Sequence, residues 1–388
     1  MSAGLSVCVT GAAGFVGAHV VRLMVERGHE VRGTYRGGGE DRLRELGAEP
    51  VRADVLDRDA IDAAVRGTGL IVHCAGAVGS PPSGSAWEAN TAGPARVVEA
   101  AARAGIERVV VTSSVLALGF APPGRTGDEE DRVESRVPLV YPESKREGDR
   151  GALEAGRRLG VEVVVVHPGY VLGPPVRPED SGGSSRVVCQ YLRGRLPAVV
   201  GGDTNLVDVR DVAEGHVLAA ERGRPGERYV LGGHDIAWAD LIERLAERSG
   251  VRHPVFVLPP AFATAARAGE RARLPMPMPA ETLTLMGGNT RFSSRKAERD
   301  LGYRARPLDE TLGDTVDWCT ERIRAGMDAS ESSALSRMSA MIQRAGAAGA
   351  LGPVHAAERR FGRRLIAGSD GASRTRPRRR RRRAGAAR

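Results

Sequence analysis

The sequence predicts an α/β protein built on a doubly wound parallel sheet, with a smaller lobe in its C-terminal half. Short apolar runs that suit buried strands alternate with amphipathic segments that suit helices through the first 174 residues. This alternation implies right-handed β–α–β crossovers and therefore a parallel sheet. The first strand leads directly into a glycine-rich turn and a helix, Val7-Cys-Val-Thr-Gly-Ala-Ala-Gly-Phe-Val-Gly17.

The turn carries three glycines, Gly11, Gly14 and Gly17, at the spacing of a phosphate-binding turn. Glycine lets the backbone turn tightly and approach a pyrophosphate, which then lies on the free N–H groups at the start of the helix. An ordinary tight strand-to-helix turn is the alternative. Because this turn follows a strand and opens a helix at Phe15 and Val16, it predicts dinucleotide binding in a Rossmann-type core.

The other elements follow in chain order. Apolar, β-branched runs predict strands at 5–9, 31–35, 50–55, 70–75, 108–112 and 161–166. Between them, helices are expected at 60–65 and 87–104, and another begins at Tyr141. Beyond residue 174 the sequence predicts helices at 185–193, 209–221, 239–248, 260–271 and 307–324, with a strand at 228–231. We therefore expect a dinucleotide-binding core over 1–174 and an interleaved substrate lobe over 175–327.

Two positions bear on the choice of dinucleotide. Arg36 follows the second strand, where an acidic residue selects NAD and an arginine accommodates the 2′-phosphate of NADP. Arg36 therefore predicts a preference for NADP(H), with Arg42 as a second candidate contact, while NAD(H) stays open because Arg36 could be a plain solvated arginine. Asp54 and Val55 lie at the end of the third strand and are expected at the adenine, although Asp54 suits a helix cap equally well.

Small residues end the fourth strand. Cys74, Ala75 and Gly76 would let a flat cofactor pass close to the backbone. No cysteine has metal-ligand spacing, so no metal site is predicted, and all four cysteines are expected to be free thiols of a reducing cytoplasm.

Three side chains in the first half suit acid–base chemistry on a carbonyl or alcohol. Tyr141 and Lys145 lie four residues apart on one helix face, about 6 Å from each other, and Pro142 suits the first turn of that helix. A neighbouring ammonium and a helix N-terminus both favour the phenolate and lower the pKa of a tyrosine. The fifth strand ends in Ser113 and Ser114, where a hydroxyl can hydrogen-bond the reacting oxygen.

An isolated Tyr-x-x-x-Lys spacing arises by chance, so the argument depends on the combination with the serines and the glycine turn. Lysine usage adds to it. Lys145 and Lys296 are the only lysines among 57 basic residues. Coding bias toward arginine explains the scarcity, but an ammonium with a tunable pKa is chemistry that arginine cannot supply.

These residues resemble the extended short-chain dehydrogenases/reductases, also called the NAD-dependent epimerase/dehydratase family. The resemblance covers about residues 4 to 325. It includes Thr10-Gly-Ala-Ala-Gly-Phe-Val-Gly17, His73-Cys-Ala-Gly76, Asn90-Thr-Ala-Gly93, Thr112-Ser-Ser114, Tyr141-Pro-Glu-Ser-Lys145, His167-Pro-Gly-Tyr-Val-Leu-Gly-Pro174, Val207-Asp-Val-Arg-Asp-Val-Ala213 and the segment Asn289 to Tyr303. Within the family the chain is most similar to dihydroflavonol-reductase-like proteins and the hopanoid-associated sugar epimerase group.

The resemblance implies roles for single residues. Tyr141 would be the acid/base, Lys145 would hold the nicotinamide ribose, and Ser114 rather than Ser113 would be the catalytic hydroxyl. It also implies cofactor contacts at Asn90, for which helix packing is an equally good explanation, and at the motif His167, Pro168 and Gly169. His167 is more often structural than catalytic.

Two departures from the family pattern narrow the reaction. Val115 and Leu116 stand where family dehydratases carry an Asp-Glu pair, which argues against dehydration. Tyr170 stands where enzymes of UDP-sugars usually carry an asparagine, which argues against a nucleotide-sugar substrate and leaves a less polar carbonyl or alcohol compound open. An epimerase that keeps its NAD(P) bound remains the alternative. A cofactor-sensing binding protein whose basic tail contacts nucleic acid is a second alternative, although such family members tend to lack the Tyr–Lys pair.

The last segment, 328–388, differs from the rest in composition. It holds 15 arginines and 4 acidic residues, a net charge of +11, so the other 327 residues carry −2 of the total of +9. It has few large apolar residues, and we expect it to be disordered, although 330–344 and 356–365 could form short helices on contact with a partner. The six arginines at 378–383 could bind nucleic acid by charge alone, but a solvated tail without a dedicated partner is favoured.

The sequence shows neither a signal peptide nor an apolar run long enough to span a membrane. We therefore expect a cytoplasmic enzyme. Family resemblance further implies a homodimer, formed through the helices that follow the fourth and fifth strands.

Overall fold

The computed structural model describes residues 4–78, 84–122, 124–131, 138–274, 278–327 and 334–369. The strands in these ranges are β1 Ser6–Thr10, β2 Glu30–Tyr35, β3 Glu49–Arg52, β4 Leu70–His73, β5 Arg108–Thr112, β6 Glu162–Pro168, β7 Tyr170–Leu172, β8 Ala198–Val200, β9 Asp203–Asp208, β10 Arg228–Leu231, β11 His234–Ala237, β12 Val255–Leu258, β13 Asn289–Thr290 and β14 Ile366–Ala367.

The α-helices in the same ranges are α1 Phe15–Glu26, α2 Glu40–Glu45, α3 Arg58–Val65, α4 Ser85–Thr91, α5 Gly93–Ala104, α6 Val140–Leu159, α7 Arg186–Leu192, α8 Val209–Arg222, α9 Trp238–Ser249, α10 Ala261–Arg271, α11 Ala280–Gly287, α12 Arg295–Leu301, α13 Leu308–Arg324, α14 Ala334–Ala347 and α15 Gly352–Phe361. Two of them replace the single helix expected over 87–104. Pro94 lies in the first turn of α5. Because proline has no N–H to continue a helix, the helix is interrupted between α4 and α5.

The central sheet has seven parallel strands in the order β10-β6-β5-β4-β1-β2-β3. The predicted α/β fold class is confirmed. The order reverses between β1 and β4, and in such sheets ligands bind at this switch point, beyond the carboxyl ends of the strands. All the candidate site motifs of the first half lie at that edge.

Both faces of the sheet are buried, which explains the valine-rich strands. One core packs the sheet against α1, α8 and α12, through residues such as Val20 and Val217. The other packs it against α3, α5 and α6, through residues such as Ile61 and Val97. The sheet takes β10 from the range 228–231, so the two lobes are interleaved along the chain.

The smaller lobe contains two short sheets, one of β7, β9, β11 and β13 and one of β14, β12 and β8. Its core gathers apolar side chains from α7, α9 and α13 around Tyr191, Leu241 and Trp318. Among the described residues, no helix is long and apolar enough to cross a membrane.

Two expectations about the C-terminal half fail. Within the segment expected to be disordered, residues 334–369 form α14, α15 and β14, and β14 pairs with β12. Ile366 and Ala367 are fully buried. A few apolar residues are enough to order this segment, because they pack into a core that the smaller lobe already provides. The arginine run 378–383 lies outside the described residues.

The expectation of four free thiols is also wrong. Cys189 of α7 and Cys319 of α13 form a disulfide across 130 residues of sequence, while Cys8 and Cys74 are free. Sequence spacing gave no sign of this pair, because α7 and α13 become neighbours only when the smaller lobe folds.

Candidate functional site

The glycine turn brings three backbone segments into close contact. Gly11 has a φ of +65°, and a Cβ on it would lie 2.6 Å from the Cα of Ala75. A Cβ on Gly17 would lie 2.3 Å from the carbonyl oxygen of Gly11. Gly14 caps α1, so the first N–H groups of the helix, at Phe15 and beyond, have no partner inside it. This cradle fits the diphosphate of a dinucleotide.

The predicted adenine-side residues lie together at the ends of β2 and β3. Arg36 is 65% exposed, and its Nη1 lies 3.7 Å from Oδ2 of Asp54. Asp54 accepts the N–H of Leu56 at 3.0 Å and does not cap a helix, since Asp57 caps α3. Val55 is buried.

Arg42, the second candidate for the 2′-phosphate, has other partners. Its guanidinium donates to the Ala13 carbonyl of the glycine turn and to the carboxylate of Asp180. Arg42 therefore ties the turn to the loop that leads into the smaller lobe, and in this arrangement it is not free to meet a phosphate.

The end of β4 meets α6, the helix that carries Tyr141 and Lys145. A Cβ on Gly76 would lie 2.9 Å from Nζ of Lys145 and 3.0 Å from Oδ1 of Asn90. Asn90 is buried, accepts the N–H of Ala77 at 2.8 Å and donates to its carbonyl at 3.0 Å. Asn90 also donates to the Ser144 hydroxyl of α6 at 3.1 Å, so its observed contacts tie the end of β4 to that helix.

Tyr141 opens α6 and faces Ser114. The Ser114 hydroxyl accepts the N–H of Leu116 at 3.2 Å. Burial raises the pKa of Tyr141 to about 12, the nearby Ser114 hydroxyl opposes this rise, and the charge of Asp149 adds to it. We expected Lys145 to lower this pKa, and the structure differs because burial dominates. The phenol is therefore protonated at neutral pH and can donate a proton.

Lys145 reaches back to the sheet. Its Nζ donates to the carbonyl of Thr112 at 3.3 Å, and the side chain is buried. Burial lowers the pKa of Lys145, while the nearby Asp149 and Cys74 raise it. The three predicted catalytic residues thus meet at one place, beyond the ends of β4 and β5.

His167 supports this arrangement from β6. Its Nδ1 donates to the carbonyl of Ser114 at 2.9 Å, since a carbonyl oxygen only accepts. Burial lowers the pKa of His167 to about 4, so the ring is neutral at physiological pH. Pro168 ends β6, and a Cβ on Gly169 would lie 2.6 Å from the carbonyl of Asn205. The motif thus packs against the smaller lobe and holds Ser114.

Sequence reasoning missed two carboxylates at this site. Glu281 of α11 accepts the backbone N–H of Tyr141 at 2.8 Å, and no local pattern could have revealed a contact across 140 residues. Asp149 lies one turn beyond Lys145 on the same face of α6 and accepts the hydroxyl of Ser113 at 2.7 Å. Its signal was available, because positions 141, 145 and 149 repeat at helical spacing.

Comparison with known proteins adds independent evidence. A model of the NAD-dependent epimerase/dehydratase family matches residues 7–232. A putative dihydroflavonol 4-reductase of Synechocystis sp. is 31% identical over 325 residues, which cover 80% of this chain and 93% of the relative. Cinnamoyl-CoA reductase 1 of Arabidopsis thaliana is 34% identical over 260 residues, covering 63% of this chain and 75% of the relative.

Solved structures agree. The crystal structure of gox2253 has a TM-score of 0.72 and 32% identity, covering 82% of this chain and 99% of that one. PA4631, a nucleoside-diphosphate-sugar epimerase from Pseudomonas aeruginosa, has a TM-score of 0.69 and 28% identity, covering 82% of this chain and 99% of its own.

Proposed function

The chain belongs to the NAD-dependent epimerase/dehydratase family, and we propose that it is an NADP(H)-dependent reductase of the extended short-chain dehydrogenase/reductase type. Its substrate would be a small molecule with a carbonyl group or secondary alcohol. The observation that carries the proposal is the meeting of Ser114, Tyr141 and Lys145 next to a glycine cradle whose adenine side ends in Arg36.

The preference for NADP(H) rests on Arg36. Its exposed guanidinium stands at the end of β2, where a 2′-phosphate is recognised in Rossmann-type sites. The neighbouring Asp54 is 3.7 Å away and 33% exposed, so its ion pair with Arg36 is weak and can be exchanged for a phosphate at small cost.

Two apolar features favour a weakly polar carbonyl substrate. Val115 is buried at the position where elimination would need a carboxylate. Tyr170 packs edge-on against Trp238, with ring centroids 5.0 Å apart, and its hydroxyl donates to the Ser184 carbonyl at 3.3 Å. At this position the chain therefore carries a packed aromatic ring and not an amide that could bind a sugar. Relatives named dihydroflavonol 4-reductase and cinnamoyl-CoA reductase support this substrate class.

Within this proposal, a bound nicotinamide supplies or accepts the hydride. Ser114 hydrogen-bonds the substrate oxygen, and the protonated Tyr141 donates its proton to that oxygen during reduction. The Lys145 ammonium, held at Thr112, stabilises the phenolate that remains. Glu281 fixes the backbone of Tyr141 from the smaller lobe, so the acid keeps its position when that lobe binds substrate.

Fluorescence titration of the purified protein with NADPH and NADH tests the cofactor choice. We expect tighter binding of NADPH, and Arg36→Asp should weaken it tenfold to a hundredfold, because a charge-assisted bond contributes about 1.5–3 kcal/mol. Arg158→Asp is the matched control, since it makes the same charge change at an exposed position paired with Glu99.

Equal loss of NADPH affinity in both variants would refute the role of Arg36. Protein that purifies with NAD bound and shows no net cofactor turnover would instead indicate an epimerase. If NADPH binding holds, a screen of aryl and alkyl ketones and aldehydes, with Tyr141→Phe as the inactive control, tests the reductase activity.

Three inferences from the sequence remain predictions: a homodimer through α5 and α6, a cytoplasmic location, and the division of the chain at residues 174 and 327. The role of the arginine run as a nucleic-acid contact is also a prediction and not part of the proposed activity.

A further inference from the structure

A buried carboxylate lies behind the catalytic pair. Asp149 is only 8% exposed and follows Lys145 by one helical turn, so Tyr141, Lys145 and Asp149 form a file along one face of α6. Neighbours at this spacing are about 6 Å apart at Cβ. The proposed mechanism makes no use of this carboxylate.

The contacts of Asp149 come from the strands that build the site. Ser113, at the end of β5, donates its hydroxyl to Oδ2 at 2.7 Å. Nε2 of His167, on β6, lies 3.8 Å from the same oxygen. Nδ1 of His167 already donates to the Ser114 carbonyl, so in the neutral ring Nε2 carries a lone pair. It has no hydrogen-bond partner within the part of the chain that the structure describes.

Asp149 is not part of a close salt bridge. Across the described ranges, no lysine or arginine nitrogen lies within 4 Å of its carboxylate. Lys145, Arg146 and Arg228 act on it from farther away. A carboxylate buried only for stability would be expected to have a close cationic partner, because burying an unpaired charge is costly.

We propose that Asp149 is a positioning residue of the reaction, the buried counter-charge that keeps Lys145 an ammonium at its place beside Gly76 and Thr112. This inference rests on the proposed function, in which Lys145 must be charged to hold the cofactor ribose and stabilise the phenolate. Asp149 acts through Lys145 and does not touch the reacting atoms.

The surroundings of Lys145 show why a counter-charge is needed. Two titratable neighbours, His73 at the end of β4 and Cys74 directly after it, are both neutral at physiological pH. Burial lowers the pKa of His73 to about 3 and raises that of Cys74 to about 11. Burial also lowers the pKa of Lys145 itself. Asp149 and Cys74 both oppose that loss of charge. Cys74 does so only as a thiolate, at a pH near its raised pKa of about 11, so Asp149 is the opposing group at lower pH.

The carboxyl group of Asp149 also titrates near neutral pH. Burial raises its pKa to about 7, while the Ser113 hydrogen bond and the charges of Lys145, Arg146 and Arg228 hold it down. Below pH 7 Asp149 becomes neutral and its support for Lys145 is lost. At such pH the ammonium needs no support, so the effect of Asp149 on Lys145 is greatest on the alkaline side.

The chain allows a direct measurement, because Lys145 and Lys296 are its only lysines. NMR titration of protein labelled with ¹³C at lysine Cε gives both pKa values, and Lys296→Arg assigns them. Asp149→Asn keeps the shape and an acceptor for Ser113 but removes the charge. It should lower the Lys145 pKa by about one unit. Lys296, paired with Glu227 at 2.6 Å, is the internal control and should not shift.

Two further variants separate charge from packing. Asp149→Glu keeps the charge and should restore most of the Lys145 pKa, whereas a packing role would be disturbed by the longer side chain. Ser113→Ala removes the hydrogen bond but not the charge. It should raise the pKa of Asp149 and leave the alkaline titration of Lys145 unchanged.

NADPH titration provides the functional readout. Asp149→Asn should bind NADPH like the parent protein at pH 6, where Asp149 is mostly neutral, and more weakly at pH 9, by at most about tenfold, which is the limit set by a one-unit fall in the Lys145 pKa. An unchanged Lys145 pKa in the folded Asp149→Asn variant would overturn the proposal. If that pKa falls but NADPH affinity stays constant at both pH values, Asp149 is the counter-charge as inferred, and the assigned role of Lys145 in the proposed function is wrong.

Discussion

Truncating Ile366 to alanine tests whether the C-terminal segment is part of the fold. Ile366 is fully buried, and its strand β14 pairs with β12 at Phe256. Glu358 accepts the N–H groups of Leu365 and Ile366 at 2.8 and 2.9 Å, which fixes the strand against α15. Losing three buried carbons costs about 0.8 kcal/mol each, and the cavity adds to this, so we expect a destabilisation of about 3 kcal/mol.

Urea unfolding followed by circular dichroism measures this loss as a lower midpoint with an unchanged slope. Met341→Ala is the matched control, since Met341 is 65% exposed on α14 and its loss should cost less than about 0.5 kcal/mol. Deleting 370–388 should leave the midpoint unchanged, whereas deleting 328–388 should lower it at least as much as Ile366→Ala. Equal midpoints for the Ile366 and Met341 variants would refute the packing described for β14.

Three other predictions follow from local geometry. Gly17→Ala should weaken NADPH binding at least tenfold, because its Cβ would lie 2.3 Å from a carbonyl oxygen of the turn. Gly352→Ala, at a position with open space around it, is the control and should bind NADPH normally. Equal binding by both variants would refute the role of the glycine turn in holding the diphosphate. Without reductant, the denatured protein should titrate two thiols with Ellman's reagent and four after reduction, since Cys189 and Cys319 are paired; four thiols at the start would contradict the disulfide. Stability should fall between pH 7 and pH 5, and a urea midpoint that does not depend on pH would refute this. The reason is that unfolding lets buried neutral histidines take up protons below pH 6.5, at about 2 kcal/mol each, offset in part by Asp149, whose raised pKa acts in the opposite direction. The histidines are His19, His73, His167 and His216.

The sequence by itself determined the fold class and most of the candidate site. The β1–turn–α1 unit is encoded in adjacent residues. The apolar run of the strand, the glycines of the turn and the apolar periodicity of the helix can each be recognised within a few residues. The spacing of Tyr141 and Lys145 places both on one face of α6 wherever that helix lies. Ser114 follows β5, and the carboxyl ends of parallel strands lie at one edge of the sheet, where ligands bind. Ser114 is therefore expected at the same edge as Tyr141 and Lys145.

Tertiary structure alone decided which groups surround these residues. Glu281 meets Tyr141 across 140 residues, and Ser113 meets Asp149 across 36. Burial, which no local pattern measures, raises the pKa of Tyr141 when the sequence argument from Lys145 predicted a lower one.

The same distinction explains the two errors in the C-terminal half. Composition describes what a segment can bury by itself, so the arginine-rich end was predicted to be disordered. The two-residue strand β14 is too short to show a periodic pattern, and it is stable because β12 and the lobe core offer it partners about 110 residues away. The disulfide joins α7 to α13 across 130 residues for the same reason. Short-range patterns specify the elements, whereas burial and long-range contacts exist only after those elements have packed.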